Sequence, residues 1–549
     1  MTDDPASPFV ETRPENPDVS SKAAFDLAKS WISTCLDSHD KCSNISVPLP
    51  TRVLDLRTIE DDRVVKLCMS QGKMAPYVAL SYCWGGPQPE VLTAATLETY
   101  THGVPLTSCP QTVQDAILVC RKLGFQYLWI DALCIIQDSS EDIAREIQKM
   151  NFIYSNAILT ISASSAKGVK DGFLKKRIRQ EDSQWFLLPF SSGDSISTNT
   201  IFARQSTPYQ ASSEPLNTRA WALQEDVLSP RVLTYDSYRI RWQCKSTYDA
   251  DGGKIDDLGL DYNQNQKLVP LSEVKEEEKS SLDALKAWVK IVETYSTRTA
   301  TFPSDTLPAI SALAEYFSHV LGGEYLAGLW GLYLPQCLMW YAHRSNDYDL
   351  SQFKKRNQYI APSWSWASLN GPTHFGSHFG MRGNVEIHVK IEECSVRRAS
   401  EAMQFGEVIA GHLTISGFLH PVICSARTQN NQPTLFRMVF GVEELEPVPM
   451  SRPTPKSSTE VPSNPNPETF TFYPDDSEDF LQKQVHLHAL LLCSFDSYYR
   501  VRLMAGLVVS RVALRGKEGK QLWIRRGLFQ GTDRNENFKG SKEASITIV

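Results

Sequence analysis

The sequence predicts an α/β domain over about 70–240, a parallel sheet with helices on both faces, then a helical segment and a mostly β C-terminal region. Three observations predict it. Apolar runs of strand length alternate with helical stripes between 76 and 164, joined by short connections, which is the pattern of a parallel sheet with right-handed crossovers. Helical periodicity returns at about 281–297 and 305–321, with a third helix expected at 323–341. From 358 onward the pattern changes to short β segments at 382–396, 406–418, 434–443, 484–494 and 505–513.

The run Pro76-Tyr-Val-Ala-Leu-Ser-Tyr-Cys83 reads as a buried strand, ended by the breaker Trp84-Gly85-Gly86-Pro87. Thr107 or Ser108 then stands as an N-cap before Pro110, and Val113, Ala116, Ile117, Cys120 and Leu123 recur at helical spacing up to Gly124, a C-terminal glycine. Phe125-Gln-Tyr-Leu-Trp-Ile-Asp131 is a second strand. Ser139 caps the next helix through Asp142, and Ile143, Ile147, Met150, Tyr154 and Ala157 form its apolar stripe. Ile158-Leu-Thr-Ile-Ser162 is the third strand. An insertion at 166–215 carries strand pieces around Trp185 and Ile201. Trp221, Gln224 and Glu225 fall on a short helix before a strand at Val232-Leu-Thr-Tyr235. Ligands on such sheets bind beyond the C-terminal strand ends, here Ser81 to Trp84, Asp131 to Asp138, and Ser162 to Ser165.

Around this domain, 1–22 reads as a disordered Pro-rich acidic tail, 23–69 as a helical and extended segment, and 241–280 as a polar linker. The helical segment takes 281–345 and the β region 346–549, with a Pro-rich disordered loop at 444–468. Lys plus Arg is 56 against 63 for Asp plus Glu, a net charge of −7 that argues against nucleic-acid binding by bulk electrostatics. No apolar run reaches the length of a membrane span, and the N-terminus lacks the basic start of a secretory signal. The 12 cysteines lie mostly inside apolar runs, so the chain reads as cytoplasmic with free thiols. Cys35, His39 and Cys42 have metal-ligand spacing, but a closed zinc site needs four ligands and no fourth is near in sequence; the expectation is local packing and no metal.

Several segments resemble one family in order and spacing. Tyr77-Val-Ala-Leu-Ser-Tyr-Cys-Trp-Gly85, Tyr127-Leu-Trp-Ile-Asp-Ala-Leu-Cys-Ile-Ile-Gln-Asp138, Met150 to Ala163 and Arg219-Ala-Trp-Ala-Leu-Gln-Glu225 are similar to the fungal heterokaryon incompatibility (HET) domain. The family usually has Gly where this chain has Ala220. Tyr325-Leu-Ala-Gly-Leu-Trp330 and Ala361-Pro-Ser-Trp-Ser-Trp-Ala-Ser368 resemble segments that often follow the domain. The resemblance implies a role in non-self recognition and programmed cell death. HET domains in turn resemble Toll/interleukin-1 receptor (TIR) domains, with a flavodoxin-like sheet, many of which cleave NAD. Leu80-Ser81-Tyr82, Ile130-Asp131 and Ile161-Ser162 match TIR strand ends, and Trp221-Ala-Leu-Gln-Glu225 keeps the Trp-to-Glu spacing of the TIR catalytic Glu, with Ala222 in place of Cys.

The resemblance therefore implies an NAD glycohydrolase with Glu225 catalytic and NAD as substrate, no other cofactor being required. One placed carboxylate suits an oxocarbenium-like transition state. Ser81, Tyr82, Trp84, Asp131, Arg219 and Trp221 would bind NAD, the tryptophans by stacking and Arg219 at the pyrophosphate. Each residue has a plainer role open to it. Glu225 could pair with Arg219 or Arg231, Trp84 and Trp129 could be core aromatics, and Asp131 could cap the next turn. Cys134, in an apolar run, is not expected to be a nucleophile. The expected partners are further copies of the chain, self-associated through this domain, and a separate sensor protein. The alternatives are a non-enzymatic assembly module and a HET-like protein recruited to another intracellular pathway.

Overall fold

The computed structural model describes residues 15–42, 47–57, 63–177, 185–190, 199–204, 213–252, 281–342, 354–355, 358–375, 385–401, 403–429, 432–440, 470–476, 485–496, 502–515, 521–532, 538 and 541–549. The chain divides into two units, Met1–Lys279 and Ser280–Val549. Residues 1–14 of the tail expected at 1–22, most of the linker and the Pro-rich loop lie outside the described residues.

In the first unit, helix α1 (Lys22–Ser38) opens on a Ser21 cap. The strands are β1 (Arg52–Asp55), β2 (Val64–Met69), β3 (Tyr77–Ser81), β4 (Val104–Pro105), β5 (Tyr127–Trp129), β6 (Leu159–Ser162), β7 (Trp185–Phe190), β8 (Asn199–Arg204), β9 (Arg231–Tyr235), β10 (Ile240–Cys244) and β11 (Tyr248–Ala250). Between them run α2 (Leu97–His102), α3 (Gln111–Leu123), α4 (Asp131–Cys134), α5 (Ser140–Gln148), α6 (Met150–Asn156) and α7 (Ala220–Leu228). Nine strands form one sheet in the order β11-β10-β9-β6-β3-β5-β1-β2-β4. Its centre, β9-β6-β3-β5, is parallel, and every pairing outside it is antiparallel.

Taken in chain order, the four parallel strands lie 2-1-3-4, so the order reverses between β3 and β6. Right-handed crossovers in that order place α3 on one face and α5 to α7 on the other. Accordingly α6 packs on α7, and α1 packs on α3. The central strands are buried along their length, as parallel strands covered on both sides must be. Gly124 ends α3 in the left-handed conformation at φ 90°, as its position predicts. Ser139 accepts from the Asp142 amide at 3.2 Å and caps α5.

Several expectations are corrected. Leu106–Ser108 is a 3-10 turn and α3 starts at Gln111 without a side-chain cap, so neither Thr107 nor Ser108 caps it. The polar linker does not begin at 241: β10 and β11 form a hairpin whose Trp242 and Ala250 are buried. Residues 15–22 are anchored rather than a loose tail, because Val19 is buried and Arg177 donates its amide to the Pro17 carbonyl at 2.8 Å.

The second unit begins with α8 (Ser281–Ser296) and α9 (Ser311–Leu321), whose Trp288 and Phe317 rings meet at 5.6 Å. The helix expected at 323–341 is instead a tight hairpin, Tyr325–Leu326 against Leu329–Trp330, with a four-residue turn of helix at Leu334–Cys337. Gly322, Gly323, Ala327 and Gly328 all have φ between 48° and 96°, which no right-handed helix tolerates. Trp288 and Trp366 both donate their indole N–H to the Gly328 carbonyl, at 3.2 and 3.1 Å.

The β region is larger than expected, with strands at Phe470–Pro474, Gln521–Gly531 and Lys542–Ile548 that the sequence reading missed. Val485–Asp496 pairs with Arg502–Arg515, which pairs with Gln521–Gly531, then Phe470–Pro474, Gln432–Phe440 and Val408–Gln429. Val408–Gln429 also pairs with Val485–Asp496, so the six strands close as a barrel. Phe470, Phe472, Leu487, Leu491, Val508 and Phe529 belong to its apolar core. Among the described residues no helix is long and apolar enough to cross a membrane.

Candidate functional site

The register of the parallel strands sets the site. Ser81 at the end of β3 lies opposite Ser162 of β6, and Ser162 lies opposite Thr234 of β9. These ends flank the place where strand order reverses, where an α/β sheet opens a crevice. Helix α7 is docked there by its apolar side, with Ala222, Leu216 and Cys83 in one buried cluster. Arg219 precedes its first turn and Glu225 lies in its second.

The structure brings six of the seven predicted residues together. Ser81 Oγ donates to Glu225 Oε2. Trp84 Nε1 donates to Asp131 Oδ2 at 2.8 Å, and the Asp131 carboxylate also accepts from the Ala132 amide at 2.7 Å. Arg219 donates to the Tyr82 carbonyl, holding the chain just past β3. The Tyr82 hydroxyl is buried facing Asp131, yet without good hydrogen-bond geometry to it. The seventh, Trp221, is half-buried in the first turn of α7.

Asp131 therefore accepts both from the amide of its own first turn and from the Trp84 indole. Trp129 is fully buried and meets Tyr154 edge-on at 5.8 Å, which makes it a core aromatic. Trp84 is half-buried. Burial pushes the Cys134 thiol up to about 12, in keeping with an inert side chain. Arg231 turns to Cys35 and to the Cys42 carbonyl.

Sequence reasoning missed Tyr154 as a site neighbour, because it sits in an apolar helical stripe. Its hydroxyl donates to the Leu80 carbonyl at 3.1 Å, and burial, with Glu225 and Asp131 nearby, raises its ionisation far above the usual range. Two more buried polar atoms, Gln224 Oε1 and Ser164 Oγ, have no hydrogen-bond partner among the described residues. Glu225 is only 9% exposed. A groove of about 380 Å³ lies beside Gln111, Asp115 and Asp171, and none of the predicted site residues lines it.

The comparisons with known proteins bear on this same stretch. Residues 77–225 match the family model described as heterokaryon incompatibility protein (HET). They form a HET domain. No curated protein and no solved structure matches the chain. The HET match runs from the first residue of β3 to Glu225, so it encloses all seven predicted residues and three of the four parallel strands. Strands β1, β2 and β9 to β11, with α1, lie outside it and complete the sheet around the HET domain.

Two predictions arise here. Gly85, at φ 68°, packs against the loop after β6, where an added Cβ would stand 2.5 Å from Gly168 Cα and 2.9 Å from the Lys167 carbonyl. Gly85→Ala is expected to destabilise the first unit by about 1–3 kcal/mol, from strained backbone and a contact with main chain that cannot swing away. Urea denaturation would check this, and a loss below about 0.5 kcal/mol would refute it. The second concerns pH. Burial raises the Asp131 carboxyl above its ordinary value, against the opposing Trp84 and Arg219. The folded state then holds a proton that the unfolded chain releases near pH 4. The stability contributed by Asp131 is full below that pH and is lost as pH rises through the folded value. Asp131→Asn should flatten this part of the stability–pH profile, and an unchanged slope would remove Asp131 as its cause.

Proposed function

We propose that this HET domain serves non-self recognition as an effector of programmed cell death, and that it hydrolyses NAD at the nicotinamide–ribose bond. The single observation that carries the reading is the hydrogen bond from Ser81 to Glu225 at the C-terminal end of β3, beside the orphaned Tyr82 hydroxyl. The 2-1-3-4 strand order supports a TIR-like, flavodoxin-like domain, whose ligand crevice falls at this switch point.

The chemistry is simple to balance. The ribose C1′–N bond breaks with its electron pair passing to the nicotinamide ring nitrogen, and a water oxygen bonds to C1′. NAD and water give nicotinamide, ADP-ribose and one proton. Glu225 would hold the ribose hydroxyls and offset the positive charge that develops at C1′. Trp84 or Trp221 would stack on a ring, and Arg219 would meet the pyrophosphate. Nicotinamide leaves readily, so no second acid and no further cofactor is required.

The burial of Glu225 favours a second reading, in which the Ser81–Glu225 pair is structural and the domain is a non-enzymatic assembly module. Under the first reading, self-association of HET domains in the cytoplasm, triggered by a separate sensor protein, opens the strand ends to NAD. Nicotinamide release at high protein concentration, with and without forced dimerisation, decides between them. Release supports the hydrolase, and none in either state leaves the assembly module, with recruitment to another pathway as its variant.

A further inference from the structure

The metal expectation rested on a missing fourth ligand, and the fold supplies one. Cys35 lies in the last turn of α1 and His39 is the residue that ends the helix. The chain then turns back, with the Cys42 amide bonded to the His39 carbonyl at 2.9 Å. Hairpin β10–β11 brings Cys244 to the same place, with its Sγ 3.4 Å from His39 Nδ1. The three sulfurs and the imidazole nitrogen all lie within 4.8 Å of one another. Around a tetrahedral zinc with ordinary bond lengths, sulfurs stand about 3.8 Å apart and sulfur and nitrogen about 3.5 Å. The cluster therefore needs shifts of only about an ångström to close on an ion.

We propose that Cys35, His39, Cys42 and Cys244 bind one structural zinc ion, which ties α1 to β10 of the nine-stranded sheet. Three thiolates and one imidazole in a tetrahedron suit zinc, and four protein ligands leave no open position for catalysis. The surroundings are built for thiolates. Cys244 Sγ accepts from the Ser246 and Thr247 amides at 3.4 and 3.3 Å, two donors aimed at one sulfur. Arg231, buried on β9, brings its Nε to 3.2 Å from Cys35 Sγ and donates through Nη2 to the Cys42 carbonyl at 2.9 Å. Three thiolates around a divalent ion leave one net negative charge, which this guanidinium offsets. Cys35, Cys42 and Cys244 are buried and His39 half-buried, so the site is closed to solvent on most sides. All four ligands lie outside 77–225, so this site is no part of the segment that the family model matches.

The test uses the full chain, purified without a metal-binding tag from cells supplied with zinc, and counts metal by mass spectrometry. About one zinc per chain is expected. Cys244→Ser and Cys35→Ser should each lower bound zinc at least about tenfold, while Cys68→Ser, outside the cluster, should leave it unchanged. Because a ligand variant can fail to fold, the wild-type chain is also titrated with a mercurial reagent. Release of one zinc as the cluster thiols react, with a drop in melting temperature, supports the site. Folded wild-type protein that carries no zinc and takes up no cobalt overturns it. So does a disulfide between any two of Cys35, Cys42 and Cys244, or iron in place of zinc.

Discussion

Glu225→Gln is expected to lower nicotinamide release from NAD by at least about 100-fold at saturating substrate, the scale lost when one placed electrostatic partner of a transition state is removed. The substitution keeps the shape of a side chain that is 9% exposed and can still accept from Ser81, so the fold should survive. Neutral Gln cannot offset the charge at C1′, so the loss should fall on the chemical step and not on NAD binding. Ser81→Ala is the informative companion. It leaves the carboxylate charged but frees its orientation, and a loss of about tenfold is expected. Equal activity of Glu225→Gln and wild type would remove Glu225 from the chemistry while leaving the enzyme. Loss of the fold in Ser81→Ala, which breaks the pair, would make the pair a structural node.

The parts of the fold that were readable share one physical feature. Strands β3, β5, β6 and β9 are buried along most of their length, so their sequences are mostly apolar, and the helices between them must alternate. The rule that ligands gather at C-terminal strand ends then named Ser81, Tyr82, Trp84 and Asp131 without coordinates. The antiparallel flanks were harder. β2 alternates buried and exposed positions, and β10 reads Ile240-Arg-Trp-Gln-Cys244, a period-two signal in a stretch whose charged neighbours suggested a linker. Missing β10 also hid the fourth cysteine. Cys244 is 205 residues from His39, and only the sheet order brings them together. The helix expected at 323–341 failed for a local reason. Its apolar spacing fits a helix, but glycines at 322, 323 and 328 allow the left-handed turns of a hairpin, which bury Trp330 with Tyr325 against Trp288.

Arg52→Ala is expected to cost about 3–5 kcal/mol, the range found when one partner of a buried ion pair is removed. Arg52 is 3% exposed and pairs with the equally buried Asp142, while its Nε donates to the Cys134 carbonyl at 2.6 Å. Asp142 also accepts from the Ile136 amide at 2.8 Å and pairs with Arg145 on the surface side. One guanidinium on β1 thus holds both the end of α4 and the start of α5. Alanine leaves the Cys134 carbonyl without that donor and the Asp142 carboxylate with only its outer cation. Loss on this scale is large against a typical total of about 5–15 kcal/mol. Asp131 opens α4, so the same change should loosen the Trp84–Asp131 contact, and amide exchange across 131–136 should accelerate more than across β6. Replacing both partners, as Arg52→Met with Asp142→Leu, should restore most of the stability, because no buried charge is then stranded. A single variant within about 1 kcal/mol of wild type would mean that Arg145 alone suffices for Asp142 and that α4 is held by its packing.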